Sequence, residues 1–136
     1  MIVYIDENMP PQLARGLNIL QQPLNLKEKE PIEVKSIKDE FGQGTQDEDW
    51  IPKAGKEKAI VITQDYRIQT DKNQFALYQE HGLGIFFFKP PSKNGFTYWE
   101  MVEQVIRRWD VVKKLSLKEK RPFAFRCSSR TDFEKI

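Results

Sequence analysis

The 136 residues are 39% hydrophobic and 31% charged, with a net charge of +2, the balance of one soluble globular domain over residues 1–136, with 128–136 expected as a frayed tail. No apolar run approaches the roughly 20 residues of a membrane span, and a chain that starts directly on a strand is not expected to carry a secretory leader. A single Cys and a single His exclude an internal disulfide and a Cys/His zinc site, so a reducing cytoplasm is expected, and any metal would sit on carboxylates as a hard ion such as Mg²⁺ or Mn²⁺.

Ile2-Val-Tyr-Ile5 is an unbroken apolar run, the pattern of a strand buried on both faces of a parallel sheet. It ends on Asp6 and Glu7, and Pro10-Pro11 then stop pairing and suit the first turn of a helix. Leu13, Leu17 and Leu20 recur at helical spacing and predict a helix to about Gln22. Residues 23–31 read as a polar loop, Ile32–Ile37 as an alternating strand and 38–46 as a flexible loop containing Gly42 and Gly44.

Asp47-Glu-Asp opens the next helix, with three acids at the positive end of its dipole and either Asp47 or Asp49 as cap. Ala59–Thr63 is a second wholly apolar strand, and Asp65 lies just beyond it. Residues 70–81 predict a helix with Phe75 and Tyr78 on one face, His81 as a dipole partner at its end and Gly82 as C-cap. Gly84–Phe88 is a third buried strand, closed by Lys89-Pro-Pro91. Thr97-x-x-Glu100 is a capping box that opens a helix to about Leu115, its apolar stripe carrying Tyr98, Val102, Val105, Ile106 and Trp109. Pro122–Cys127 alternates and reads as an edge strand. Trp50, Trp99 and Trp109 are expected in the core rather than as base-stacking platforms. The βα alternation predicts a mainly parallel sheet of about five strands between helical layers.

Charge is unevenly placed. Residues 1–80 balance to −4 and residues 81–136 to +6, which would suit an acidic metal centre beside a basic phosphate track. Parallel strands bring Asp6 and Asp65 to one edge, and Asp47 joins them if its helix starts there. Carboxylates gathered in that way repel by several kcal/mol unless a cation neutralises them. Each acid also has an ordinary alternative as a turn or cap residue.

Val3-Tyr-Ile-Asp6, the run Asp6-Glu-Asn-Met-Pro10, and the Asp47-led helix feeding Ile60-Val-Ile-Thr-Gln-Asp65 together resemble the PIN-domain nucleases of the small toxin type. These are the VapC toxins and their minimal PIN-like relatives, and the resemblance covers most of residues 1–90. It implies a three-layer α/β/α PIN-like fold and a metal-dependent endoribonuclease in which Asp6, Asp47 and Asp65 hold Mg²⁺ or Mn²⁺. It also implies RNA as substrate, a cognate antitoxin as protein partner and a homo-oligomer as a possible assembly. The further Glu of larger PIN domains has no direct counterpart; Glu7 is the first substitute, ahead of Glu40 and Glu48. Where relatives carry a second acid after Thr-x-Asp, this chain has Tyr66-Arg67-Ile68. Lys89, Arg107, Arg108, Lys113 and Lys114 are the candidate RNA contacts. The alternatives are a non-catalytic PIN-like binding module and a receiver-type phosphoacceptor domain. The latter would need another strand between Asp65 and Lys89.

Overall fold

A computed structural model describes residues 1–136, the side chains of Tyr66 and Gln69 apart. The chain runs β1 (Ile2–Ile5), α1 (Pro11–Gln21), a 3-10 turn (Gln22–Lys27), β2 (Glu33–Ser36), α2 (Ile37–Phe41), α3 (Asp47–Lys56) and β3 (Ile60–Thr63). It continues with α4 (Tyr66–Thr70), α5 (Lys72–Glu80), β4 (Gly84–Phe88), α6 (Tyr98–Lys118), β5 (Phe123–Ser128) and β6 (Thr131–Lys135). The six strands form one sheet in the order β2-β1-β3-β4-β5-β6. The first five pair in parallel and only β6 is antiparallel. No helix among the described residues is long and apolar enough to cross a membrane.

Residues of β1, β3 and β4 alternate between two cores, which is why these three strands carry no charged residue. Val3, Ile5, Ile60, Ile62, Phe86 and Phe88 face α1 and α6, while Tyr4, Val61, Ile85 and Phe87 face the layer of α3, α4 and α5. Both faces are therefore covered, as the βα order predicts. The layer of α3 and α5 is also set by Gly55, where a Cβ would overlap the main-chain carbonyl of His81. Alanine in place of glycine inside an exposed helix stabilises by about 1 kcal/mol. Gly55→Ala is expected to do the opposite and lower stability by roughly 1–3 kcal/mol, because a backbone group cannot yield as a side chain can. Urea unfolding decides the sign.

Several expectations change in the third dimension. The tail from 128 is not frayed: its residues 131–135 form β6, and β5 is consequently an interior strand. Phe133 of β6 stacks edge-on against Phe86 and Phe88 at centroid distances of 5.0 and 5.5 Å. The 38–46 stretch begins with α2, whose first turn is capped by the Ser36 hydroxyl accepting from the Asp39 amide at 3.3 Å. Neither Asp47 nor Asp49 caps α3; Gln46 stands at that position, and its side chain makes no capping bond. Trp50 and Trp109 are buried, but Trp99 is 75% exposed on the outer side of α6, where Tyr98 and Ile106 are exposed too. The buried stripe of α6 instead passes through Met101, Val105, Trp109 and Val112. That shift of register admits Gln104 and Arg108 to the interior, where each finds a polar partner.

Candidate functional site

β1 and β3 are neighbours, so the residues beyond their carboxyl ends meet. Asp6, Glu7, Asp47, Glu48 and Asp65 line one cleft of about 420 Å³ at that edge of the sheet. This is where open α/β sheets place their sites. Glu40 lies elsewhere, paired with Lys35 at 3.3 Å.

Asp6 is the most enclosed of the acids, with 9% of its surface exposed. Its amide continues the ladder by donating to the Ile62 carbonyl at 3.0 Å. One carboxylate oxygen accepts from the Thr63 hydroxyl at 2.6 Å, and the other accepts from the Glu7 amide at 2.8 Å. Burial pushes the Asp6 carboxyl up to about 6; the two hydrogen bonds work against that rise, and the charges of Asp65 and Asp47 add to it. Desolvation and like charge both penalise the anion.

Thr63 does two things at once. Its hydroxyl donates to Asp6 and accepts from the Asp65 amide at 2.9 Å, and the side chain has no exposed surface. The spacing of the two acids is therefore held by one buried oxygen. Asp65 caps α4 by accepting from the Arg67 amide at 3.0 Å and also receives the Arg67 guanidinium at 3.1 and 3.3 Å. Asp47, at the first position of α3, accepts from the Trp50 indole at 3.1 Å and from the Gln74 amide group at 2.6 Å. Glu7 is exposed and accepts from the Gly44 amide at 3.1 Å, tying the strand end to the loop before α3. Tyr78 closes the floor. Burial first, and then the charges of Asp6, Asp47 and Asp65, keep its phenol protonated well beyond the usual range.

Among the described residues, no three of His, Cys, Asp or Glu stand close enough together to form a ready-made metal cage. The donor set nevertheless suits a hard cation. It consists of carboxylate oxygens, and the anion of the most buried of them is disfavoured by burial and by two like charges, a penalty a cation relieves. Mg²⁺ is commonly held by only one or two protein carboxylates, with waters and phosphate oxygens completing its shell. Thr63, Gln74 and Tyr78 are the site residues that sequence reasoning missed. Thr63 lies inside the Thr-x-Asp motif, whereas Gln74 and Tyr78 carry no local signal, since they come from α5, far along the chain from Asp6 and Asp47.

The basic candidates divide. Lys89 is exposed just beyond β4, at the same edge as the acids. Arg108 is not available to RNA: it is 7% exposed, donates to the Ser128 carbonyl at 2.6 Å and lies 5.7 Å from the Phe133 ring centroid. Lys113 is likewise engaged, pairing with Glu28 at 2.9 Å and holding the 3-10 turn against α6. Arg107 donates to the Ser129 carbonyl at 3.1 Å, and Lys114 is exposed near the far end of α6. The expected track along α6 is thus partly spent on fixing β6 and the 3-10 turn.

The sequence model of a PIN like domain matches residues 1–90, which contain β1 to β4 and all five cleft acids. No curated protein and no solved structure matches the chain. The matched segment covers well over half of the chain and includes both strands that deliver Asp6 and Asp65, so this protein belongs to the PIN-like domain family.

Proposed function

We propose that the protein is a metal-dependent endoribonuclease acting through Asp6, Asp47 and Asp65. The carrying observation is that these acids line one cleft, with the Asp6 anion disfavoured first by burial and then by the charges of the other two. A site that concentrates anions in this way is suited to a divalent cation and, through it, a phosphodiester. When bound, Mg²⁺ or Mn²⁺ would neutralise charge at the phosphate and activate water for hydrolysis. The protein's own part is to hold Asp6 and Asp65 in register through Thr63 and to fix Asp47 through Trp50 and Gln74. Glu7 stands beside them as the substitute for the further family acid.

The test has two readouts. Manganese should raise the melting temperature by binding the folded state, by about 2.7 kcal/mol of stability at a hundredfold excess over Kd, and Asp47→Asn should blunt the rise. Mixed RNAs should be cut with manganese and spared with chelator. No thermal response to millimolar manganese or magnesium, together with no cleavage, would remove the nuclease reading.

One observation favours a second reading, a non-catalytic PIN-like binding module. Each of the three acids already has an internal donor, and Arg67 supplies a positive charge at Asp65. The same two measurements separate the readings. The receiver-type alternative loses its footing, because β3 and β4 are consecutive and paired, leaving no strand between Asp65 and Lys89.

The resemblance to small toxins supports a place in a toxin–antitoxin pair, with an antitoxin protein as partner. Induction of the wild-type chain should then arrest growth and Asp6→Asn should not; equal growth of both strains would leave the nuclease without a toxin role.

A further inference from the structure

A second groove, of about 620 Å³, abuts the acidic cleft and shares Asn8, Asp65 and Arg67 with it. Its charge has the opposite sign. Arg67, Lys89 and Lys93 line it against the single acid Asp65, whereas the cleft sets five acids against Arg67 alone.

The groove is built by Gln64, the middle residue of Thr63-Gln-Asp65. The Gln64 amide group donates to the Asn8 carbonyl at 2.9 Å, and its oxygen accepts from the Phe96 amide at 3.4 Å. One side chain thus ties the loop after β1 to the loop before α6. That second loop turns at Gly95, where φ is +81° and a Cβ would lie 3.3 Å from the Gln64 oxygen. Its Pro90 and Pro91 add an apolar wall beside the cations.

The geometry points to this groove as the seat of the sugar-phosphate backbone of single-stranded RNA next to the phosphate in the acidic cleft. The inference rests on the nuclease reading for the identity of the strand, but not for the binding itself. A polyanion is repelled by the cleft acids and attracted by the groove cations, so the strand is anchored beside the acids rather than on them. The prolines offer the ribose and base an uncharged surface, and the paired amide of Gln64 keeps the two walls at a constant separation.

The experiment measures the anisotropy of a fluorescein-labelled, mixed-sequence single-stranded RNA 12-mer over a range of salt, with magnesium. Asp6→Asn serves as the background so that the RNA stays intact. Adding Lys93→Glu should weaken binding about tenfold for all sequences alike and shrink the log–log salt slope by about 0.7 for each phosphate no longer neutralised. Lys93→Arg should bind like the parent. Lys56→Glu, the same charge change at the end of α3 remote from Asp47, should leave both quantities unaltered.

Unchanged affinity and slope for Lys93→Glu, while the wild-type chain cuts RNA, would overturn the groove and leave the nuclease standing. Groove-dependent binding with no manganese-dependent cleavage would do the reverse. Tighter, equally Lys93-dependent binding of duplex RNA would overturn the single-strand assignment.

Discussion

Asp6→Asn is expected to reduce manganese-dependent RNA cleavage by at least about two orders of magnitude, because the site loses its most buried anionic ligand. The same change should stabilise the metal-free fold near neutral pH. The Asp6 carboxyl is pushed up to about 6, mainly by burial, so its folded value lies above its unfolded one. Its stabilising contribution is therefore fully present below the unfolded value near 4 and is lost as pH rises through about 6. At roughly 1.4 kcal/mol per unit, ionisation costs the wild-type fold on the order of 3 kcal/mol at pH 7.

Asparagine has no such cost. It can accept from the Glu7 amide as Asp6 does, but it must reverse the Thr63 bond, at a loss of about 1 kcal/mol. The expected net is a gain of about 1–2 kcal/mol at pH 7, within the usual range of active-site trade-offs. The difference between mutant and wild type is the quantity to follow. Glu28, held low chiefly by its hydrogen bond from Lys113, and Asp39, held low chiefly by that from Arg15, act in the opposite sense: their stabilisation is lost as pH falls. Both contributions cancel in the difference. A chelator-treated Asp6→Asn protein no more stable than wild type at pH 7, or one that still cuts RNA at the wild-type rate, would refute the account of this site.

Thr63→Val carries the second large effect. Valine matches the shape of threonine but removes the oxygen that serves both acids. The Asp65 amide is left without its acceptor and Asp6 without its shortest donor. Orphaned buried groups of this kind cost about 1–3 kcal/mol, which urea unfolding measures. The lost donor was also lowering the Asp6 carboxyl, so its value should rise further. The acid limb of kcat/KM should then move to higher pH, with the rate near neutrality down by about tenfold or more. Thr63→Ser, which returns the hydroxyl, should recover both stability and profile. A valine variant with the wild-type pH profile would show that Thr63 only fills space.

Much of this site could be read along the chain, because its framework is local. Val3-Tyr-Ile-Asp6 and Ile60-Val-Ile-Thr-Gln-Asp65 each state a buried strand and an acid beyond its end in one short stretch. Parallel pairing then requires both acids to share an edge. Asp47 joins them only because α3 starts at that edge, which the structure shows. By contrast, the engagement of Arg108 and Lys113 within the fold is something their spacing could not reveal. Arg108 shares the turn of Trp109 and belongs to the buried side, and its charge is answered by the Gln104 side chain and the Ser128 carbonyl. A guanidinium inside a protein must find such partners, and the one from the β5 end is recruited across 20 residues.

The sequence by itself determined the βα order, the two-sided burial of β1, β3 and β4, and the meeting of Asp6 and Asp65 at one edge. It could do so because periodicity and chain direction are properties of neighbouring residues. Only the tertiary structure decided that 131–135 pair as β6, that Trp99 faces outward, and that Gln64 and Gln74 act as ties. Those outcomes depend on which groups meet across long stretches of chain: Thr63 reaches Asp6 over 57 positions and Gln74 reaches Asp47 over 27. An amide or hydroxyl does not announce its partner in its own surroundings. The partner is selected when packing removes water and leaves each polar group the neighbours the fold has brought to it.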